Sequence, residues 1–369
     1  MTLPSSSVNI PVLPASVKNI LLIRNGLLGD AVFVTPVLRR LHEHFPQANI
    51  DILTSRAAVD LFKYSYIRTA YGLFPKFSLW RHLQFFLSLR RNRYDLVFVQ
   101  EMNTHYTLMA VLTGGKHLVG FKTSVSFLLD TVYQRREDIH AVDAEQATVR
   151  DWTSAPGGAD KTELFVSENE RSIIDALLKE RGIPASDRIL CVHVGTSGQN
   201  SERQWLLERY AELADRLISN LGAKIVFTGI EKDRENVEKI RSMMRLTSID
   251  FVGKTPLRQL MALLQRASAI IGPDTGTLHI ATALGTPAVM LMGYADKNHT
   301  GAYGADSINV SVDLPCIGCV RRHPKPEQWE ICKTLRPVKC MELLSVDVVY
   351  DAVVSVMNQK KRMHQFVQQ

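Results

Sequence analysis

No apolar run in this chain approaches the ~20 residues that a bilayer-spanning helix requires, so no spanning segment is expected. The opening residues, MTLPSSSVNIPVLPASVKN, lack a charged segment followed by a long apolar core, which argues against a secretory signal. Residues 1–17 are expected to form a disordered leader, and the protein to be cytoplasmic. Internal repeats and low-complexity segments are missing, and no helix-turn-helix, zinc-finger or RNP pattern supports a nucleic-acid partner. The first glycine loop is not the dinucleotide fingerprint G-x-G-x-x-G. Residues 61–94 hold no Asp or Glu at all.

What is present is the composition of a globular protein, 46% apolar and 22% charged, in a chain of 369 residues whose length suits two domains. The excess of 44 basic over 37 acidic residues gives a formal charge of +7, which suits an anionic partner.

The chain is organised around Ile271 to Gly293, IGPDTGTLHIATALGTPAVMLMG. An apolar strand ends here, breaks at Gly272-Pro273, restarts as a small-residue helix, and passes through Gly285-Thr286-Pro287 into another apolar strand. A helix beginning beside a strand's carboxyl end presents unpaired N–H groups and a positive dipole end, a ready site for phosphate. Asp274, Thr275, Gly276 and His279 stand at that start. Asp274 is suited either to capping the helix or to holding a sugar hydroxyl.

Alternation of strands and helices runs through the chain. Lys18–Ile23 reads as a strand, Arg24–Asp30 as a glycine loop, Ala31–Phe45 as a helix and Asn49–Thr54 as a strand, a βαβ unit of a parallel sheet. Asp30 sits where open α/β sheets bind ligands and is suited equally to capping a helix at Ala31 and to acting as a base. The stretch 61–94 carries seven bases and ten aromatics. Within it Ser78–Arg93 reads as a basic amphipathic helix with Trp80, Phe85 and Phe86, suited to an anionic membrane, a phosphorylated amphiphile or a plain solvated face. Its arginines Arg90, Arg91 and Arg93 are the candidate acceptor-binding cations.

A boundary is expected between Asp151 and Arg188, after which α/β alternation restarts at Ile189. The domain expectation is 18–165 and 166–345, two Rossmann-like halves facing a cleft, with 346–369 a C-terminal helix and frayed basic tail. The second half opens on His193-Val-Gly195-Thr196-Ser197-Gly198 and Ser201-Glu-Arg203, donors and a cation for a diphosphate.

Taken together, ILLIRNGLLGDAVFVTPVLRRLHEHFP, VGTSGQNSERQWLLERYAELADRL, VFTGIEKDRE and IGPDTGTLHIATALGTPAVMLMG resemble glycosyltransferase family 9, the ADP-heptose heptosyltransferases of lipopolysaccharide synthesis. The resemblance spreads over roughly residues 19 to 345. It implies an α/β fold of GT-B type, an inverting transfer from ADP-heptose to a lipopolysaccharide core precursor, and no metal required for catalysis. It implies Asp30 as base, and Thr196, Ser197, Arg203, Asp233 (with Glu231 as rival), Asp274, Thr275, Gly276 and His279 around the nucleotide sugar. Arg203 stands where the family carries lysine; charge is kept, but a guanidinium grips phosphate through a planar fork. Transfer to protein serine, as in autotransporter-modifying relatives, and a non-catalytic nucleotide-sugar module are the alternatives. Peripheral contact with the inner membrane is part of the same expectation.

Cys191 reads as apolar filler. Cys316, Cys319, Cys332 and Cys340 form a late quartet, which in a cytoplasmic protein favours metal over disulfides. The spacing falls short of a zinc ribbon, and a structural iron or zinc is the expectation attached to it.

Overall fold

The run β1 (Asn19–Ile23), NILLI, is almost wholly buried, as a strand covered on both faces by helices must be. Around it, in a computed structural model that describes residues 17–63, 66–73, 79–153, 161–196, 203–304, 306–321, 332 and 338–367, the chain divides into two units at Thr162/Glu163. That division lies three residues before the boundary expected from sequence.

In the first unit α1 (Leu28–Phe33) and α2 (Thr35–His44) follow β1, where one continuous helix was expected. Pro36 explains the break: it lacks an N–H and is tolerated only in a helix's first turn, so α2 starts afresh at Thr35. Next come β2 (Asn49–Ser55), β3 (Ile67–Leu73), α3 (Leu79–Ser88), β4 (Leu96–Val99), α4 (Thr104–Leu112), β5 (His117–Phe121), β6 (Thr131–Tyr133), α5 (Ala141–Glu145) and α6 (Ala147–Arg150). The strands pair in parallel in the order β3-β2-β1-β4-β5-β6. β3 lies inside the acid-free stretch 61–94 and was missed there, because charge rather than period dominated the reading. Its Arg68 reaches the buried Asp51 of β2 (Nε to Oδ1 2.9 Å), and Tyr94 donates to the same carboxylate at 2.7 Å.

The second unit runs α7 (Glu168–Glu180), β7 (Ile189–His193), α8 (Leu207–Leu221), β8 (Lys224–Thr228), α9 (Arg234–Met243), β9 (Ile249–Asp250), α10 (Leu257–Arg266), β10 (Ala269–Pro273), α11 (Gly276–Ala283), β11 (Ala288–Leu291), α12 (Lys297–Thr300), β12 (Ile308–Val310), α13 (Lys339–Leu343) and α14 (Val346–Val367). Its parallel sheet has the order β12-β11-β10-β7-β8-β9. Counted from its own first strand, that is the same 3-2-1-4-5-6 winding as the first unit.

The expected C-terminal tail is part of this core. Val346, Val349, Val353 and Val356 recur at helical spacing and are buried in the cluster that holds Trp205, Tyr210 and Leu217. Each buried valine contributes on the order of 1.5 kcal/mol, enough together to hold this end of α14 against the sheet. No helix among the described residues is long and apolar enough to cross a membrane.

Candidate active site

A doubly wound sheet leaves a crevice where the strand order reverses, outside the carboxyl ends of its two central strands. In the first unit these strands are β1 and β4, and each is followed within two residues by a charged group. Arg24 follows β1 and Glu101 comes just after β4. The Arg24 guanidinium donates from Nη1 to Glu101 Oε1 at 3.1 Å and from Nη2 to Asp30 Oδ1 at 3.0 Å. It also lies 3.3 Å from Oε1 of the fully buried Glu145, which Arg135 approaches at 2.9 Å.

Asp30 is not the N-cap that the sequence allowed. It occupies the third position of α1 and accepts the Leu27 N–H at 2.9 Å through Oδ2. The fold-back needs a residue without a side chain at Gly26, where a Cβ would stand 2.8 Å from both Cβ and Oδ2 of Asp30. About a third of the Asp30 side chain still faces solvent, so the carboxylate is fixed and reachable together.

The second crevice lies between β7 and β10. The N-cap of α11 is Thr275, whose hydroxyl makes no bond to its own helix and none to any other described residue. The carboxylate of Asp274 is nearly buried: Thr300 donates to Oδ2 at 3.2 Å, His279 Nε2 lies 3.2 Å from Oδ1, and Arg203 Nη2 is 3.8 Å from Oδ2. Burial pushes its carboxyl up, but His279, Arg203 and Thr300 outweigh that and hold it below the usual range. Arg203 also donates to the Asp274 carbonyl at 3.0 Å. Trp205, fully buried, anchors that segment by donating to Leu344 O at 2.9 Å.

Asp233 and Glu231 part company here. Asp233 accepts the Ile230 N–H at 2.9 Å, and its carboxylate covers Gly195 and Gly229 at the ends of β7 and β8. Glu231 turns to Arg234 on the surface. Sequence reading did not single out His193, which is buried between Thr228 Oγ1 (3.2 Å from Nδ1) and Thr277 Oγ1 (3.3 Å from Nε2). Burial drives its pKa down to about 4, against the opposing charge of Asp233 and a bond from Thr228. Thr196 is half-buried at the end of this loop, while Ser197 lies outside the described residues.

Three expected residues belong elsewhere. Arg90, Arg91 and Arg93 are exposed and precede β4, at the edge where Asp95 N–H bonds Asn19 O and Lys116 N–H bonds Tyr94 O. Asp30 and Glu101 stand beyond the other end of these strands, roughly 20 Å away at ~3.3 Å per residue. The expected helix also ends at Ser88, and Phe86 points into the core while Trp80 is exposed. The amino end of α3 is the part nearer the carboxyl edge, since His82 Nδ1 lies 3.4 Å from His105 Nε2 in the first turn of α4. Arg90, Arg91 and Arg93 therefore lie at the edge of this sheet opposite Asp30 and Glu101.

The four late cysteines are neighbours. Burial drives the Cys340 thiol up to about 12, and the charges of Cys332, Cys319 and Cys316 add to the rise. Its sulfur lies against Gly293, where a Cβ would come within 2.5 Å. Among the described residues, however, no three of His, Cys, Asp or Glu are arranged to hold a metal ion.

What sequence reading missed in the first unit is the ring of charge around Arg24. The available signal was position alone: Arg24 and Glu101 stand within two residues of the ends of the two apolar runs that became the central strands.

A sequence model of glycosyltransferase family 9 (heptosyltransferase) matches residues 82–330. The chain is 24% identical over 302 residues to the lipopolysaccharide core heptosyltransferase OpsX of Haemophilus influenzae, covering 80% of this chain and 84% of that one. Among solved structures, a glycosyl transferase family 9 protein from Veillonella parvula superposes with a TM-score of 0.79 at 21% identity, covering 93% of this chain and 98% of that one. The E. coli ADP-heptose lps heptosyltransferase II gives 0.77 at 20% identity, covering 93% and 99%. The likeness establishes an α/β fold of GT-B type.

Proposed function

Because the chain belongs to glycosyltransferase family 9, and is by that membership a glycosyltransferase, we propose that it moves a heptose from ADP-heptose to a lipopolysaccharide core or related phosphorylated saccharide-lipid acceptor, with inversion. The observation that carries the donor half is the start of α11. The unbonded Thr275 hydroxyl, the positive amino end of α11 and Arg203, which bonds the Asp274 carbonyl, lie together beside the carboxyl end of β10. Such a convergence suits a diphosphate, whose charge grows as it leaves. In this reading Gly195 and Thr196 add backbone N–H groups from the neighbouring loop, and Asp233 and Asp274 hold hydroxyls of the nucleotide sugar.

In the first unit Asp30 is the base. As the acceptor oxygen attacks the anomeric carbon, the Asp30 carboxylate takes its proton, the new glycosidic C–O bond forms, and the electron pair of the broken C–O bond leaves with ADP. Arg203 and the α11 start offset the charge on that leaving group, so catalysis requires no metal. The exposed Trp80 and Phe127, 66% and 80% accessible, together with Arg81 and Lys122 support a peripheral contact with the membrane that carries the lipid acceptor.

Mass spectrometry of products from purified protein, ADP-heptose and candidate acceptors tests this reading. The expected result is one heptose added to a lipopolysaccharide core acceptor with release of ADP. Bound ADP with no turnover on any acceptor would reduce the chain to a binding module, and heptose found on protein serine would move the acceptor to another class.

A further inference from the structure

The ring around Arg24 contains more acid than base. Two guanidinium groups, Arg24 and Arg135, face three carboxylates, Asp30, Glu101 and Glu145, within one chain of ion pairs. If all three acids were ionised, a largely buried cluster would carry an uncompensated negative charge, which is costly in a low-dielectric site. The partners divide unequally. Glu145 is shared by both arginines, and Asp30 has Arg24 and the Leu27 N–H. Among the described residues Glu101 has one ion-pair contact, to Arg24, with only 13% of its side chain exposed.

Resting on the assignment of Asp30 as base, we propose that Glu101 is a positioning residue whose charge sets the basicity of Asp30 through the arginine that they share. With Glu101 neutral, Arg24 is drawn toward Asp30 and Glu145 alone and stabilises the Asp30 carboxylate, making it a poorer proton acceptor. With Glu101 ionised, the same guanidinium is divided among three acids and a second negative charge stands nearby, so Asp30 binds a proton more strongly. The groups that face Glu101 are Arg24 after β1, Asp30 in α1, Tyr106 in α4 and Glu145 in α5, with Arg135 behind Glu145. Burial, followed by the repulsion of Glu145 and Asp30, raises the Glu101 carboxyl to about 7 even against the pull of Arg24. The change of charge therefore falls in the neutral range. Tyr106, whose hydroxyl accepts from Asn25 at 2.6 Å, stays protonated there because burial raises it further above its ordinary value.

Two measurements on the full chain test the proposal. The first is the pH profile of kcat for Glu101→Gln, whose amide keeps a partner for Arg24 but cannot ionise. Wild type is expected to gain turnover through an inflection near pH 7. E101Q should lose that inflection and fall roughly 3- to 10-fold below wild type at pH 8, up to the effect of one unit of base strength. Its KM for ADP-heptose should be unchanged, and an inflection kept in E101Q overturns the proposal. The second needs no turnover: carbon-13 NMR titration of glutamate carboxyls, with the Glu101 signal identified by its loss in E101Q. In Asp30→Asn the Glu101 midpoint should fall, since a neighbouring negative charge is gone. An unchanged midpoint shows the two acids uncoupled and ends the proposal. If the midpoint falls while wild type transfers no sugar, the coupling stands and the reading of Asp30 as a base is what has failed.

Discussion

A methyl group on Gly195 would stand 2.4 Å from Oδ2 of Asp233 and within 2.8 Å of the other two carboxyl atoms. The two residues come from the ends of neighbouring strands, and the glycine is what lets the carboxylate lie over the loop. Asp233 cannot simply swing aside, because Ile230 N–H holds it and the side chain is nearly buried. Gly195→Ala is therefore expected to keep the fold, as read by circular dichroism, while weakening ADP at least about 10-fold, or ~1.4 kcal/mol, by calorimetry. Unchanged affinity would show that Asp233 and this loop lie away from the nucleotide.

The donor site should also answer to Asp274→Ala, His279→Ala and Arg203→Ala. Each removes a member of one bonded set, and each is expected to cost about 1.5–3 kcal/mol of ADP binding. Because the three share Asp274, the double variant Asp274→Ala/His279→Ala should cost less than the two singles together. Strict additivity would mean that they act at separate places.

Asp30→Asn preserves shape and the bond from Leu27 but removes the proton acceptor. Turnover should drop about 100-fold or more while ADP affinity holds, the scale of general-base loss. Near-normal turnover would leave Asp30 as a device for shaping α1.

The triple neutralisation of Arg90, Arg91 and Arg93 should leave the acceptor's KM unaltered at low salt. These bases precede β4, and screening over ~8 Å at physiological salt further isolates them from Asp30. A raised KM confined to the acceptor would show that the acceptor extends to this edge.

Stability of the second unit should carry a pH signature from Glu170, which grips Arg258 through two bonds of 2.7 Å and joins α7 to α10. The bonds from Arg258 hold its carboxyl at about 2, below the ordinary ~4.3 of a glutamate in an unfolded chain. A depressed folded value means that the contribution is complete above the unfolded pKa and fades as pH falls toward the folded one. Glu170→Gln is expected to cost about 1 kcal/mol at pH 7 in urea unfolding, with the gap closing from pH 5 toward pH 3. A gap independent of pH would assign the loss to the N-terminal cap of α7 rather than to the ion pair.

Sequence alone determined the architecture to a large extent, because it is written in local patterns. Runs such as NILLI and KIVFT are too apolar for one-sided strands, helices between them carry a 3.6 period, and glycines mark the turns. The same locality made the start of α11 legible, since Asp274, Thr275, Gly276 and His279 sit within six consecutive residues. Short strands such as β6, β9 and β12 escaped, being too brief to show a period, and β3 was hidden by its neighbours' charge.

Tertiary structure decided which distant residues meet and which edge of the sheet each one faces. Glu101 joins Arg24 across 77 positions and Glu145 joins it across 121, contacts that arise only when β4 pairs beside β1 and α5 packs back on α1. Strand direction fixed the edge on which the arginines lie: a few residues before or after a strand mean opposite edges of the sheet, and composition carries no such sign. Asp30 shows both halves of the division. Its glycine loop and strand end were visible in the sequence, but its partners were not, since a carboxylate's strength is set by charges that the chain brings to it from far away.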